Sequence, residues 1–367
     1  MILEQLECWQ YEVPLTTPLV TAKGCINSRQ GLIIVGRSND ERVAHGEIAP
    51  LPGYSQETLV EARASLLKLR DFLRGCPIPS TLSSLERLIE AIEKDITCLP
   101  SVIFGLETML FDLASQQESC SLSHWYYAQA GTHVPVNGLL SGSLASVVEQ
   151  LNRKKNNYAA FKLKIGTDAP ELELQKIAAI RQMNGDHVTI RLDANGSLHF
   201  EQAALLLHAA KKYNLEFVED PLKKEERGRL AELRSTCGVP IALDEGASLD
   251  IFNISPHDLP FDVLLIKPTI IGGIAKSISL SRKAAQYGIK TVISSTLESG
   301  IGITAVLHVA AILRQNILPC GLDTLDLLAN PLVENWPPMS GGQMPVPQKP
   351  GLGVAPSLLH PFCVKVW

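Results

Sequence analysis

The sequence predicts an α/β protein: a TIM-type (β/α)7β barrel preceded by an α+β capping domain. Three observations carry that expectation. Residues 1–130 read as strands followed by helices; from Val134 onward eight short β-rich runs alternate with helical stretches; and charged or hydroxyl residues recur at the ends of those runs. At 367 residues the chain exceeds one ordinary domain, and 46% hydrophobic against 19% charged residues is enough to fill a sizeable core.

In the capping unit, residues 3–13 and 30–38 (QGLIIVGRS) read as strands, the second leading through a turn into VAHGEIAPLPGYS. Helical periodicity then takes over in 58–74, 82–94 and 102–117. The barrel unit, residues 131–330, carries the runs VPVNGLL, AFKLKI, HVTIRLD, LEFVED, VPIALD, FDVLLIK, IKTVISS and ILPCGLD. Helical stretches lie between them, among them 169–182, 199–213, 225–237 and 273–287. The last segment, 331–367, is rich in Pro and Gly (WPPMSGGQMPVPQKPGLGV) and is expected to run back onto the capping domain.

Composition narrows the partners. A net charge of −5 provides no basic field for a nucleic-acid backbone. The most apolar stretch, 303–313, is interrupted by His308 and falls short of the roughly 18 residues that span a bilayer, so no membrane partner is expected. Eight cysteines (Cys8, Cys25, Cys76, Cys98, Cys120, Cys237, Cys320, Cys363) are scattered without a CxxC pair, and the opening MILEQLECWQ has no basic stretch before an apolar run. Free thiols in a reducing cytoplasm are the expectation.

The chemistry lies in a ladder. Lys164, Asp193, Glu219, Asp244, Lys267 and the Ser294–Ser295 pair follow one another at gaps of 29, 26, 25, 23 and 27 residues. A strand, a helix and two short connections also add up to roughly 25 residues, so one polar group closes each successive strand on the face where barrel enzymes hold their active sites. Asp193, Glu219 and Asp244 would repel one another without a cation, and an all-oxygen set lacking His and Cys selects a hard ion, Mg²⁺. Lys162 and Lys164 are two apart and share a strand face. A free lysine is almost wholly charged at pH 7, but a cationic neighbour and a metal would depress its pKa, making Lys164 a general base and Lys162 its tuner and an oxyanion partner. Lys267, across the barrel, either delivers a second proton or stays charged and stabilises an intermediate. Together these groups describe proton abstraction beside a carboxylate in a small-molecule substrate.

Other positions carry less. Arg191 shares the face of Asp193 and either orients the substrate or pairs with that carboxylate. The Gly300–Ala305 run mimics a dinucleotide fingerprint but lacks the acidic residue that should follow; a helix N-terminus binding a carboxylate beside Ser294 and Ser295 is the preferred reading. The KKEER run at 223–227 reads as a solvated helix face, and His187, His199, His257 and His308 show no ligand spacing.

The KLK, RLDAN, EDP, LDE and IKP segments resemble the enolase superfamily in its muconate lactonizing enzyme subgroup, and GEIAPLPGYSQET and PGLGV extend the resemblance over nearly the whole chain. Within the subgroup, SSTLESGIG and GLDTLD are similar to the o-succinylbenzoate synthase family of menaquinone and phylloquinone biosynthesis. The resemblance implies a Mg²⁺-dependent syn dehydration of 2-succinyl-6-hydroxy-2,4-cyclohexadiene-1-carboxylate through an enediolate. Lys164 is then the base that also assists hydroxide departure, and Lys267 a cation over the ring. Asn195, Glu298 and Gly321, in the matching motifs, join Arg191, Ser294 and Ser295 as substrate-binding residues. Loops near 18–29 and 50–56 resemble the family's lids. Gly246 stands where relatives often carry Ser. Racemisation or epimerisation of an N-acylamino acid or dipeptide is the alternative activity; a non-catalytic scaffold and an NAD-dependent oxidoreductase are the alternatives from other classes.

Overall fold

The computed structural model describes every residue except 22–23, 96–98, 155–156, 245–252, 254, 256–258, 335 and 337. Gly246 and His257 therefore lie outside the described residues. The chain opens with an antiparallel sheet of β1 (Leu3–Thr21), β2 (Gly24–Ser38) and β3 (Val43–Ile48). β1 and β2 run well past the ends expected from the sequence. A register irregularity between Pro14 and Leu19 interrupts the ladder, and pairing then resumes at Leu19↔Ile26, so much of 18–29 is a long hairpin arm and not a loop. A proline lacks the N–H that a ladder needs, and Pro14 and Pro18 obscure the alternation that would mark the continuation.

Three helices follow, α1 (Leu59–Leu73), α2 (Leu82–Asp95) and α3 (Pro100–Gln117); α1 and α3 pack on this sheet and α2 packs on α3. A capping box starts α1, with Glu61 N–H donating to Thr58 Oγ1 (3.3 Å) and Thr58 N–H to Glu61 Oε2 (2.8 Å). α3 is buried from Ser101 to Ser115. It lies so close to β3 that a Cβ on Gly105 would sit 2.6 Å from Ile48 Cγ1, so only glycine permits this approach.

After α4 (Leu122–Tyr126) come β4 (His133–Pro135), β5 (Gly138–Leu140), α5 (Leu144–Lys154), β6 (Ala160–Lys164), α6 (Pro170–Asn184), β7 (Thr189–Asp193), α7 (Phe200–Ala210), β8 (Leu215–Glu219), α8 (Leu230–Cys237) and β9 (Ile241–Leu243). β10 (Val263–Ile266), α9 (Pro268–Ile271), α10 (Ile274–Gln286), β11 (Lys290–Ile293) and α11 (Gly300–Ile312) follow. Strands β5 to β11 form one parallel sheet in sequence order. The eighth run, ILPCGLD, closes it: Ile317 and Gly321 bridge to Thr291 and Ser294 beside β11, and Cys320 bridges to Val136 ahead of β5. The expected capped (β/α)7β barrel is the fold observed. Beyond it, β12 (Gln343–Pro345) pairs with β4, and β13 (Cys363–Lys365) pairs with β1.

Strand periodicity fixes what lies inside. Phe217, Ala242, Val263, Leu265 and Val292, with Leu318 against them, form an apolar cluster of their own. Phe217, Ala242, Leu265 and Val292 each stand two residues before Glu219, Asp244, Lys267 and Ser294. On these four strands the polar ladder is thus the layer immediately above an apolar cluster.

Candidate active site

Register brings the ladder together. Lys164 pairs with Asp193 across β6 and β7, and Asp193 with Glu219 across β7 and β8, so these three form one transverse row. Glu219 then lies opposite Ala242, two residues below Asp244, which continues the row past the end of β9. Lys267 and Ser294 follow directly on Ile266 and Ile293, which face each other across β10 and β11.

The groups alternate in charge. Lys164 Nζ lies 2.7 Å from Asp193 Oδ2; Lys162 Nζ reaches the same oxygen at 3.0 Å and Glu219 Oε2 at 2.9 Å; Lys267 Nζ meets Asp244 Oδ2 at 2.5 Å. Burial disfavours the Asp193 carboxylate, but Lys162 and Lys164 overcome it and hold its pKa well below the usual range. Glu219 goes the other way: burial first, then the like charges of Asp193 and Asp244, push it up to about 8. Burial works against the charged forms of Lys162 and Lys267, yet the adjacent carboxylates raise both pKa values, so these two lysines are fixed cations. Lys164 differs in access: its side chain is 33% exposed, against 13% for Lys162 and 16% for Lys267.

With ammonium groups between them, the carboxylates do not meet at one point. Among the described residues no three Asp, Glu, His or Cys side chains are close enough to hold a metal ion as they stand. Their donor chemistry nonetheless suits a hard cation: three oxygen ligands on successive strand ends, with Glu219 raised by burial and then by its two like-charged neighbours.

Several expected substrate contacts are engaged elsewhere. Arg191 is fully buried, its Nε 2.5 Å from Glu216 Oε2 and its Nη1 donating to Asn137 Oδ1 (2.9 Å) and Pro319 O (2.5 Å). Its guanidinium also lies over the Phe217 ring at 4.9 Å. It pairs with Glu216 and not Asp193, because the β7–β8 register skips a residue between Ile190 and Arg191, breaking the alternation at Glu216. Protein groups thus hold Arg191 through Nε and Nη1, while its buried Nη2 has no hydrogen-bond partner. Glu298 is likewise 1% exposed, accepting from Thr269 Oγ1 (2.6 Å), Thr296 N–H (2.7 Å) and the Thr296 hydroxyl, so it braces its own loop.

The N-terminus of α11 does bind a carboxylate, but a resident one. Glu47 of β3 accepts from Ser299 N–H (2.8 Å), Ser299 Oγ (2.6 Å) and Gly302 N–H (2.7 Å), and from Tyr11 OH at 2.5 Å. A Cβ on Gly302 would meet Glu298 Cβ at 2.5 Å, so the glycine run serves packing and not a dinucleotide.

Asn195 has left-handed backbone (φ 46°) and donates its N–H to Asp193 Oδ1 at 3.1 Å. Ser294 and Ser295 sit at the mouth, with Ser295 Oγ 2.9 Å from Thr324 Oγ1. Gly321 leaves room for Ser294, whose Oγ would lie 2.6 Å from an added Cβ. Asp323 of GLDTLD bonds the Tyr158 hydroxyl and Lys154 Nζ (3.1 Å), anchoring the closing run to the end of α5 and the residues just ahead of β6.

Residues 145–358 match the model of the enolase C-terminal domain-like family, and residues 3–76 match that of the MenC N-terminal domain. The o-succinylbenzoate synthase of Aliivibrio fischeri strain MJ11 is 31% identical over 338 residues, covering 91% of this chain and 94% of that protein. The chain belongs to the o-succinylbenzoate synthase family. That family's fold extends to more distant enzymes. The L-Ala-D/L-Glu epimerase of Bacillus subtilis superposes with a TM-score of 0.87 at 23% identity, covering 97% of this chain and 99% of that one. A dipeptide epimerase from Enterococcus faecalis, crystallised with Mg and L-Leu-L-Tyr, superposes at 0.86 and 23%, covering 97% and 100%. Neither likeness extends beyond architecture, whereas the family membership rests on sequence along nearly the whole chain.

Proposed function

We propose that this protein is an o-succinylbenzoate synthase, dehydrating 2-succinyl-6-hydroxy-2,4-cyclohexadiene-1-carboxylate to 2-succinylbenzoate in the cytoplasmic synthesis of menaquinone or phylloquinone. The observation that carries the reading is the row of Lys164, Asp193, Glu219, Asp244 and Lys267 at one barrel mouth in a chain of this family.

Asp193, Glu219 and Asp244 would hold Mg²⁺. Bound there, the cation would supply positive charge to offset the electron density that builds on the substrate carboxylate. Lys164 is the most accessible of the three lysines. Its neutral amine takes the proton from the ring carbon bearing the carboxylate. The electron pair of that C–H bond becomes a ring double bond, and the C–O bond to the hydroxyl breaks. The Lys164 ammonium returns its proton to the departing hydroxide, which leaves as water. Lys267, held cationic by Asp244, stabilises the negative charge spread over the ring. The Ser294 and Ser295 hydroxyls would receive the substrate's carboxylates, with Asn195 and Gly321 forming the adjoining wall.

The test is the loss of cyclohexadiene absorbance on adding the substrate, with and without Mg²⁺, for wild type and Lys164→Ala. Turnover in wild type alone, dependent on Mg²⁺, is expected; turnover that survives both omissions refutes the mechanism. Calorimetric titration with Mg²⁺ checks the metal site independently, and Asp244→Asn should weaken binding. Solvent deuterium entering an N-acylamino acid, with no dehydration of the diene, would establish the racemase activity instead.

A further inference from the structure

We infer that Arg29, on β2, is a positioning residue that fixes the serine-bearing wall of the site against the capping domain. It is 1% exposed, and among the described residues its hydrogen bonds all end on backbone carbonyls. Nε donates to Leu297 O (3.0 Å), Nη1 to Pro50 O (2.8 Å) and Gln30 O (3.0 Å), and Nη2 to Ala49 O. A guanidinium is costly to bury, and this one spends its fork joining two segments far apart in sequence.

The first segment opens the 50–56 stretch of the capping domain. The second is the turn after Ser294–Ser295, where Leu297 has φ 62°, a left-handed conformation unfavourable to a branched residue. Such a turn persists only where its surroundings over-determine it. Here Arg29 holds the Leu297 carbonyl, Glu298 holds Thr296 N–H at 2.7 Å, and Glu47 holds Ser299 N–H at 2.8 Å. Removing Arg29 releases one of these three ties and frees the turn to relax, displacing Ser294 and Ser295 relative to Lys164 and Lys267. The groups that move protons lie on other strands, so the effect falls on substrate affinity and not on the chemical step.

This inference rests on the proposed function, in which the serine wall meets the substrate. The test compares wild type with Arg29→Lys and Arg29→Ala in the absorbance assay, because KM does not depend on how much of a variant is folded. Arg29→Ala should raise KM by about 10- to 100-fold with kcat within about threefold. Added guanidinium ion should restore KM in Arg29→Ala. Leu297→Gly, which removes the backbone penalty, should recover part of the loss in the double variant. Amide exchange over 296–302, a readout that needs no substrate, should quicken in Arg29→Ala. Wild type without dehydratase activity would overturn the functional reading; wild-type turnover with unchanged KM in Arg29→Ala, or unchanged exchange over 296–302, overturns the role of Arg29 alone.

Discussion

Glu107 offers a direct test of how the capping domain is attached. From α3 it reaches the N-terminus of α10, accepting from Ile274 N–H and, at 3.1 Å, from Ala275 N–H, while Gly273 (φ 131°) leaves space for its carboxyl. Glu107 is 2% exposed. Burial raises its pKa from 4.5 to about 7 against the pull of those amides, with Glu93 raising it further and Lys276 opposing. The folded protein therefore keeps this proton to about pH 7, whereas the unfolded chain releases it near 4.5. The stability contribution is present in full below 4.5 and is lost as pH rises to 7. At about 1.4 kcal/mol per pH unit, the window is worth roughly 3 kcal/mol, most of it between pH 5 and 8. Unfolding entropy of about 2.1 cal/mol/K per residue over 367 residues converts this to about 3–4 °C. Glu107→Gln keeps an acceptor and cannot ionise. Melting both proteins by circular dichroism across pH 5–8 should show the wild-type Tm falling by that amount relative to the variant. Other titrating groups, Asp112 among them, act equally on both and cancel. A Tm difference flat to within about 1 °C over this range would refute the reasoning.

Lys267→Ala should lower kcat by about 10²- to 10³-fold with its fold intact by circular dichroism, since it removes a charge that acts on the developing anion. Arg191→Met, read in a urea melt, should cost about 1–3 kcal/mol by leaving the partly exposed Glu216 and the buried Asn137 without their partner, while KM of the folded fraction stays at the wild-type value; a raised KM would return Arg191 to the substrate. Gly302→Ala should destabilise by about 1–3 kcal/mol in the same melt, because its methyl meets Glu298 and Glu47.

The barrel and the ladder were legible because both follow from local regularities, a strand–helix period and strand-face parity. KxK and RxD correctly place Lys162 with Lys164 and Arg191 with Asp193, two residues apart on β6 and β7. Depth along the axis was not legible. Whether Arg191 reaches a ligand or a floor carboxylate turns on a register skip in the neighbouring strand at Glu216. The α11 N-terminus was recognisable as an anion site, but its occupant, Glu47, stands 252 residues earlier. Glu298 looked available since its partners Thr296 and Thr269 carry no motif of their own. The extended hairpin of β1 and β2 was hidden by prolines, and the lysine–carboxylate pairing by its dependence on three strands at once.

The pairing of β13 with β1 has a bearing on biosynthesis. Trp9, Gln10 and Tyr11 find their partners Lys365, Val364 and Cys363 roughly 350 residues later, an interval of about 20–70 s at ribosomal rates of about 5–20 residues per second. Throughout that interval one flank of β1 presents free amides and carbonyls, a template for another nascent chain. The barrel residues are all made before that flank is sealed, so a strand synthesised among the first is among the last to be fully paired.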